Sequence, residues 1–307
     1  MAPDNQTTER TFLPYLAIIA ATSLWGSSFA AMKVTIVALG PWPVMWVRMA
    51  VALIIILPSA RRLWPLPYRS GDWKLLWPLC LFEPCLYYAL EANALRFTSS
   101  SQAGLISASV PLMVAMGACF FLGERVSRWT VLGLFVALGG VVWLTLAGDP
   151  SETASNPVLG NALELGAMMS AVGYMLLVKK LSERYNTWSL TAMQIVAGFV
   201  FFLPGARPLF DHGLVDLSTE QGLTLLYLGS CVTLGAFGLY NYGISRIPAS
   251  RASAFINIIP VVAVCLGWML LGETLNFAQV LAALCLLVGV WMSQWSDKVE
   301  LKELHDV

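Results

Sequence analysis

Long apolar runs alternate with short polar breaks along the whole chain. Ten runs stand out, at residues 13–36, 44–60, 75–95, 101–122, 131–147, 159–181, 189–205, 222–245, 252–271 and 278–295. A bilayer core of roughly 30 Å is crossed by about 20 residues at helical rise. The pattern therefore predicts an all-α membrane protein of ten transmembrane helices. Trp42, Trp64, Trp73, Trp77, Trp129, Trp188 and Trp295 punctuate the run ends, where their amphipathic rings favour the headgroup layer. The opening stretch carries Asp4, Glu9 and Arg10 and lacks the basic n-region of a secretory signal. The first run is thus expected to be retained as a membrane helix, with residues 1–12 and 296–307 as tails and 148–156 as a linker.

Composition strengthens this reading. Charged residues make up 12% of the chain, about half the share of a soluble domain, so water cannot be the solvent of most of its surface. Eighteen basic residues balance eighteen acidic ones, which excludes a nucleic-acid partner. Sorted by loop, the same charges become informative. With both termini cytoplasmic, 14 Lys and Arg fall on the inner side, while the outer ends hold Lys33, Arg96 and Arg207 and run two holds Arg48. That bias satisfies the positive-inside rule and requires an even number of crossings, so the protein is expected in the cell inner (plasma) membrane, multi-pass.

The chain also repeats itself. A shift of 149 lays 101–147 on 250–296, matching Pro111 with Pro260, Gly123-Glu124 with Gly272-Glu273 and Gly140 with Gly289. A shift of 146 lays Lys33 on Lys179. Five runs per repeat, an odd number, make the halves enter the membrane from opposite sides, as in inverted-repeat carriers. The expected units are residues 13–147 and 157–295. Glu124 and Glu273, at the ends of apolar runs, read as helix-loop pins, and Lys33 and Lys179 as side chains that snorkel to the interface.

These motifs carry a family resemblance. "SVPLMVAMGACFFLGERVSRWTVLGLFVALGGV" in the first half, "NIIPVVAVCLGWMLLGETLNFAQVLAALCLLVGV" in the second and "LWGSSFAAMK" in run one resemble the EamA-type transporters of the drug/metabolite transporter superfamily. The resemblance covers nearly the whole chain and is specific for family but weak for substrate. It implies a ten-helix inner-membrane carrier whose runs three, four, eight and nine contribute heavily to a central cavity.

Ionisable groups inside a membrane are costly and need a reason. In run three Glu83, Tyr87 and Glu91 recur every four residues, which places them on one helical face with Tyr88 and Asn93 at its edges. They read either as a substrate lining with Glu83 and Glu91 as proton-coupling candidates, or as carboxylates neutralised by Arg48 or Arg96. Tyr240, Asn241 and Asn257 could orient a ligand or bond between helices. Trp25, Ser27 and Ser28 form a second cluster, with Glu164 as its expected partner. Pro111 and Pro260 are expected inside helices as hinges. The six Cys all fall within runs and lack metal-ligand spacing, so neither a disulfide nor a metal site is expected. His212 and His305 are the two histidines, no phosphate loop is present, and no catalytic residues or cofactors are expected. The chain reads as a non-enzymatic carrier, monomer or weak homodimer, moving a small amphipathic metabolite such as an amino acid, with export favoured. The competing readings are a non-transporting membrane sensor or structural subunit, and a lipid flippase.

Overall fold

A computed structural model describes residues 5–63, 67–122, 127–148, 150–151, 154–212, 217–247 and 255–303. Asp4, Trp64, Gly123, Glu124 and His305, singled out above, lie outside the described residues. Among those described there is no strand. The helices are α1 (Asn5–Leu39), α2 (Pro41–Ile56), α3 (Ala60–Leu63), α4 (Trp73–Cys80), α5 (Tyr87–Phe97), α6 (Ser100–Ser107), α7 (Val110–Leu122) and α8 (Arg128–Leu146) in the first half. The second half holds α9 (Pro157–Leu181), α10 (Thr187–Phe201), α11 (Ala206–His212), α12 (Thr219–Tyr227), α13 (Phe237–Ile244), α14 (Ile258–Leu271) and α15 (Phe277–Glu303). Every apolar run is helical over most of its described length. Five helices are long and apolar enough to cross a membrane by length and composition, and six when Thr187–Phe201 and Leu203–Leu209, bent by 54°, count as one span. Runs nine and ten form shorter apolar helices, Phe255–Leu271 and Phe277–Met292, and runs three and four are interrupted, at Leu81–Leu86 and at residues 108–109.

The sequence dictates where helices start. Side-chain oxygens of Ser99, Ser127, Asn156, Asn186 and Ser218 each accept a backbone N–H of the following first turn, satisfying donors that a helix cannot bond internally. Gly272, at φ 64, ends α14 in the left-handed conformation that side chains disfavour. Pro111 is the second residue of α7, directly after a turn at 108–109 that interrupts run four, and Pro260 is the third residue of α14, directly after a 3-10 turn at Phe255–Asn257. Neither proline therefore sits mid-helix. Each stands in a first turn, where an N–H is dispensable, directly after the break in its run.

A π-helical segment, π2 (Leu228–Ala236), links α12 to α13, and its counterpart π1 (Leu81–Leu86) links α4 to α5 across a kink at which Glu83 is extended (φ -144, ψ 121). They occupy equivalent repeat positions. Pro84 of π1 corresponds to Thr233 of π2, whose hydroxyl donates to the Leu228 carbonyl five residues back. Such segments concentrate at functional sites because they leave backbone groups without ordinary helical partners.

The two halves interlock reciprocally. α1 packs on α13 and α14 of the second half, and its counterpart α9 packs on α5 and α7 of the first. Likewise α2 meets π2 while α10 meets π1. Where α8 crosses α15, a Cβ on Gly140 would lie 2.6 Å from the Leu286 nitrogen, and one on Gly289 would lie 2.5 Å from that of Ala137. Residues 137 and 140 are the repeat mates of 286 and 289, so these are one contact seen from both sides, the mark of a two-fold relation.

Lys33 does not snorkel. It is buried, and its Nζ donates to the carbonyls of Leu95 (2.6 Å) and Thr98 (2.8 Å) at the end of α5. Lys179 does the same for Ile244 at the end of α13 (3.1 Å). A cation there satisfies orphan carbonyls and the negative end of the helix dipole. Glu273 behaves as the pin it was expected to be, and does so between halves. Its carboxylate accepts the backbone N–H groups of Ser100 and Ser101 (2.8 Å each) and both serine hydroxyls, closing the N-terminus of α6.

Candidate functional site

A cleft lies where the halves meet. α1 supplies Trp25, Ser28 and Phe29, α2 supplies Arg48, and π1 with α5 supply Glu83, Tyr87, Tyr88 and Glu91. Ser107 and Val110 flank the break in run four, Ile256 and Ile259 flank the equivalent break in run nine, and Met168, Ala171 and Met175 come from α9. The breaks thus place loosened backbone against the cleft from both halves.

The polar groups are tied to one another. Tyr87 donates to Glu91 at 2.6 Å, one turn along the same helix. Arg48, buried to 1% exposure, donates from Nε to the Thr233 hydroxyl and from Nη2 to the Tyr88 hydroxyl, both at 3.1 Å, with its guanidinium 4.3 Å from the Tyr88 ring centre. It thereby joins π2 of one half to α5 of the other. No ion pair joins Arg48 to Glu83 or Glu91 among the described residues. The guanidinium acts on both carboxylates through space. Arg96 is exposed over the Phe97 ring. Among the described residues that line the cleft, Arg48 is the one cation.

Trp25 stands against the cleft with its ring 4.8 Å from that of Tyr240 and 5.7 Å from that of Phe237. Ser28 lines the cleft while donating to the Trp25 carbonyl. Three residues expected at the site lie elsewhere. Asn93 bonds back to Ala89 of its own helix. Asn241 is fully buried between helices, accepting from Tyr174 and donating to Thr191. Tyr240 supports Trp25 from behind. Asn257, next to the lining residue Ile256, does not itself line the cleft, and its Oδ1 is buried without a hydrogen-bond partner among the described residues. Arg48 and Thr233 were the residues hardest to foresee as site members. Arg48 was named in the sequence only as a neutraliser of a carboxylate, and nothing in the pattern singled out Thr233.

Away from the cleft, Asp72 ahead of α4 binds Arg184 and Tyr185 just beyond α9. Arg184 Nη2 lies 2.5 Å from Oδ1, and the Tyr185 hydroxyl and the Arg69 N–H donate to Oδ2 at 2.6 and 2.9 Å. The Tyr185 hydrogen bond, then the Arg69 N–H and the Arg184 guanidinium, push the Asp72 carboxyl down to about 2. A carboxyl held below its unfolded value of about 3.9 stabilises this contact above that value and loses the effect as pH falls towards the folded one. Asp72→Asn should therefore lower the melting temperature by a few degrees at neutral pH, with the gap to wild type closing as pH drops from about 4 towards 2. A gap independent of pH would show that the charge of Asp72 contributes nothing.

Comparison with known proteins agrees with this architecture. The EamA-like transporter family matches residues 12–146 and again 158–295. The "Uncharacterized transporter YcxC" of Bacillus subtilis is 30% identical over 288 residues, covering 90% of this chain and 91% of its own. A "Probable terminal-alkyne amino-acid exporter" of Streptantibioticus cattleyicolor is 25% identical over 260 residues, covering 84% and 85%. A solved structure titled "Crystal structure of protein" shares the fold with a TM-score of 0.60 at 17% identity, covering 92% of this chain and 96% of that one. A twofold family match spanning nearly all of an all-helical, apolar chain leaves one conclusion: the protein belongs to the EamA-like transporters of the drug/metabolite transporter superfamily, a family of multi-pass membrane transporters and not of enzymes.

Proposed function

We propose that this chain is a secondary carrier of the cell inner membrane that exports a small amphipathic metabolite bearing an ammonium group, such as an amino acid. Ten crossings, as two inverted five-helix halves with both termini in the cytoplasm, alternate access to the cleft. The observation that carries this reading is the cleft itself. It sits between the halves, and it gathers two buried carboxylates, one guanidinium and the side chains of Trp25, Tyr87 and Tyr88 around one space. Carboxylate and guanidinium complement the two ends of a zwitterion, and the aromatic faces suit its apolar part. The amino-acid exporter among the relatives supports the substrate class.

Counterflow of labelled amino acids into liposomes holding the purified protein tests this. Uptake should exceed that of empty liposomes, and Glu91→Gln should lower it at least about tenfold, the effect of losing one charge-assisted contact of about 1.4 kcal/mol or more. Uptake of every amino acid equal to that of empty liposomes would refute the substrate class.

A further inference from the structure

Glu164 of α9 has no part in the cleft as described, yet it is the most deeply buried carboxyl on this side of the molecule. It is 0% exposed, and neither carboxyl oxygen has a hydrogen-bond partner among the described residues. Its position is not arbitrary. Residues 164, 168, 171 and 175 recur at helical spacing, and Met168, Ala171 and Met175 line the cleft, so Glu164 continues their stripe one turn further along. There it meets Glu91, whose charge acts on it directly, while Tyr87 interacts with both carboxyls. A bare carboxylate in such a place is strongly disfavoured, because burial without donors costs several kcal/mol and a second carboxylate beside it adds repulsion.

We propose that Glu164 is a proton-carrying site of this transporter, a neutral acid opposite the Glu91 carboxylate while the cleft is closed. When the cleft opens to water, the Glu164 O–H bond breaks, the proton passes to water, and the negative charge left on the carboxylate is met by the incoming cation. The reverse step on the other side reloads the proton as the cation leaves. The outcome is exchange of one proton for one solute bearing an ammonium group.

The surroundings favour a proton over a permanent counter-ion. From α5, Tyr87, Tyr88 and Glu91 face this region, from π1 Glu83, from α2 Arg48, and from α9 itself Tyr174. Arg48 is engaged by Thr233 and Tyr88 and acts on Glu83 and Glu91, and among the described residues no cation is paired with Glu164. The packed helices α6 and α8 bring neutral groups, Gln102 and Thr145, which bond to Asn161 one turn away. The helix α4 meets α9 at its other end, where Asp72 holds Arg184. Glu83, Tyr87, Glu91 and Glu164 together form a chain of proton-exchanging groups along the cleft.

This inference rests on the carrier reading but is tested without any solute. Infrared spectra of the protein in lipid nanodiscs, recorded at neutral pH in H2O and D2O, should contain a protonated-carboxyl band. Glu164→Gln should lose one carboxyl's worth of it, while Glu91→Gln should retain it. Glu164→Asp, which keeps the acid in a changed position, should keep the band at a shifted frequency and serves if the glutamine variant does not fold. A band unchanged in the folded glutamine variant, or unshifted in the aspartate variant, would overturn the assignment. Active counterflow with an unaltered band removes this site and leaves the carrier reading standing. An altered band without counterflow does the opposite.

Discussion

Replacing Gly140 by leucine should prevent the two halves from assembling. A Cβ there would lie 2.6 Å from the Leu286 nitrogen and 2.8 Å from its Cα, and no rotamer change relieves a collision with backbone in a close-packed interior. Overpacking costs about 1–3 kcal/mol and more where backbone must move. A loss of about 3 kcal/mol is more than a hundredfold in a folding equilibrium. The yield of monodisperse protein in detergent, read by size-exclusion chromatography, should collapse. Gly289→Leu should behave alike, because it strikes the same contact from the other half. Gly139→Leu is the control: nothing lies within 4 Å of a Cβ at that position, so this variant should assemble normally. Equal yields from Gly139→Leu and Gly140→Leu would show that the α8–α15 crossing does not join the halves.

Replacing Arg48 by methionine should be nearly as damaging, for an electrostatic reason. The guanidinium is buried, and it is the cation that faces Glu83 and Glu91. Removing one side of a buried charge arrangement costs about 3–5 kcal/mol, because the opposite charge stays behind without compensation. Arg48→Met should thus lower the melting temperature markedly and abolish counterflow. Adding Glu83→Gln should restore much of the stability and none of the transport. Arg48→Lys should not rescue transport, since an ammonium cannot hold Thr233 and Tyr88 together as the guanidinium fork does. A double variant no more stable than Arg48→Met would mean that Arg48 acts through packing alone.

The helices and their repeat were largely legible in the sequence, because a membrane leaves the backbone few options and apolar runs announce them. Glu83, Tyr87 and Glu91 were legible as polar positions against an apolar background, but only Tyr87 and Glu91 share a helix, because a kink leaves Glu83 extended ahead of α5. Met168, Ala171 and Met175 were not, since a helix apolar on all sides gives no sign of which side meets a cleft. Asn93 and Asn241 look alike on paper. They part company in space, where one bonds to its own helix and the other to neighbouring helices. The breaks in runs four and nine were read as prolines within helices, because a proline marks a disturbance without revealing on which side of it the chain turns. Lys33 was misplaced at the interface because its acceptors, Leu95 and Thr98, are backbone groups, which leave no trace in side-chain patterns.

The mismatch between Pro84 and Thr233 bears on the timing of the proposed cycle. Two identical halves exchanging conformations would give states of equal free energy, and the carrier would dwell equally on either side of the membrane. Proline offers no N–H and no side-chain oxygen, whereas Thr233 ties its hydroxyl to Leu228 and receives Arg48. The exchanged arrangement cannot reproduce those bonds, so the two orientations are unequal by their difference. Within the proposed cycle this pair is one of the differences between the halves that favour one orientation, and a membrane gradient would have to work against it or with it.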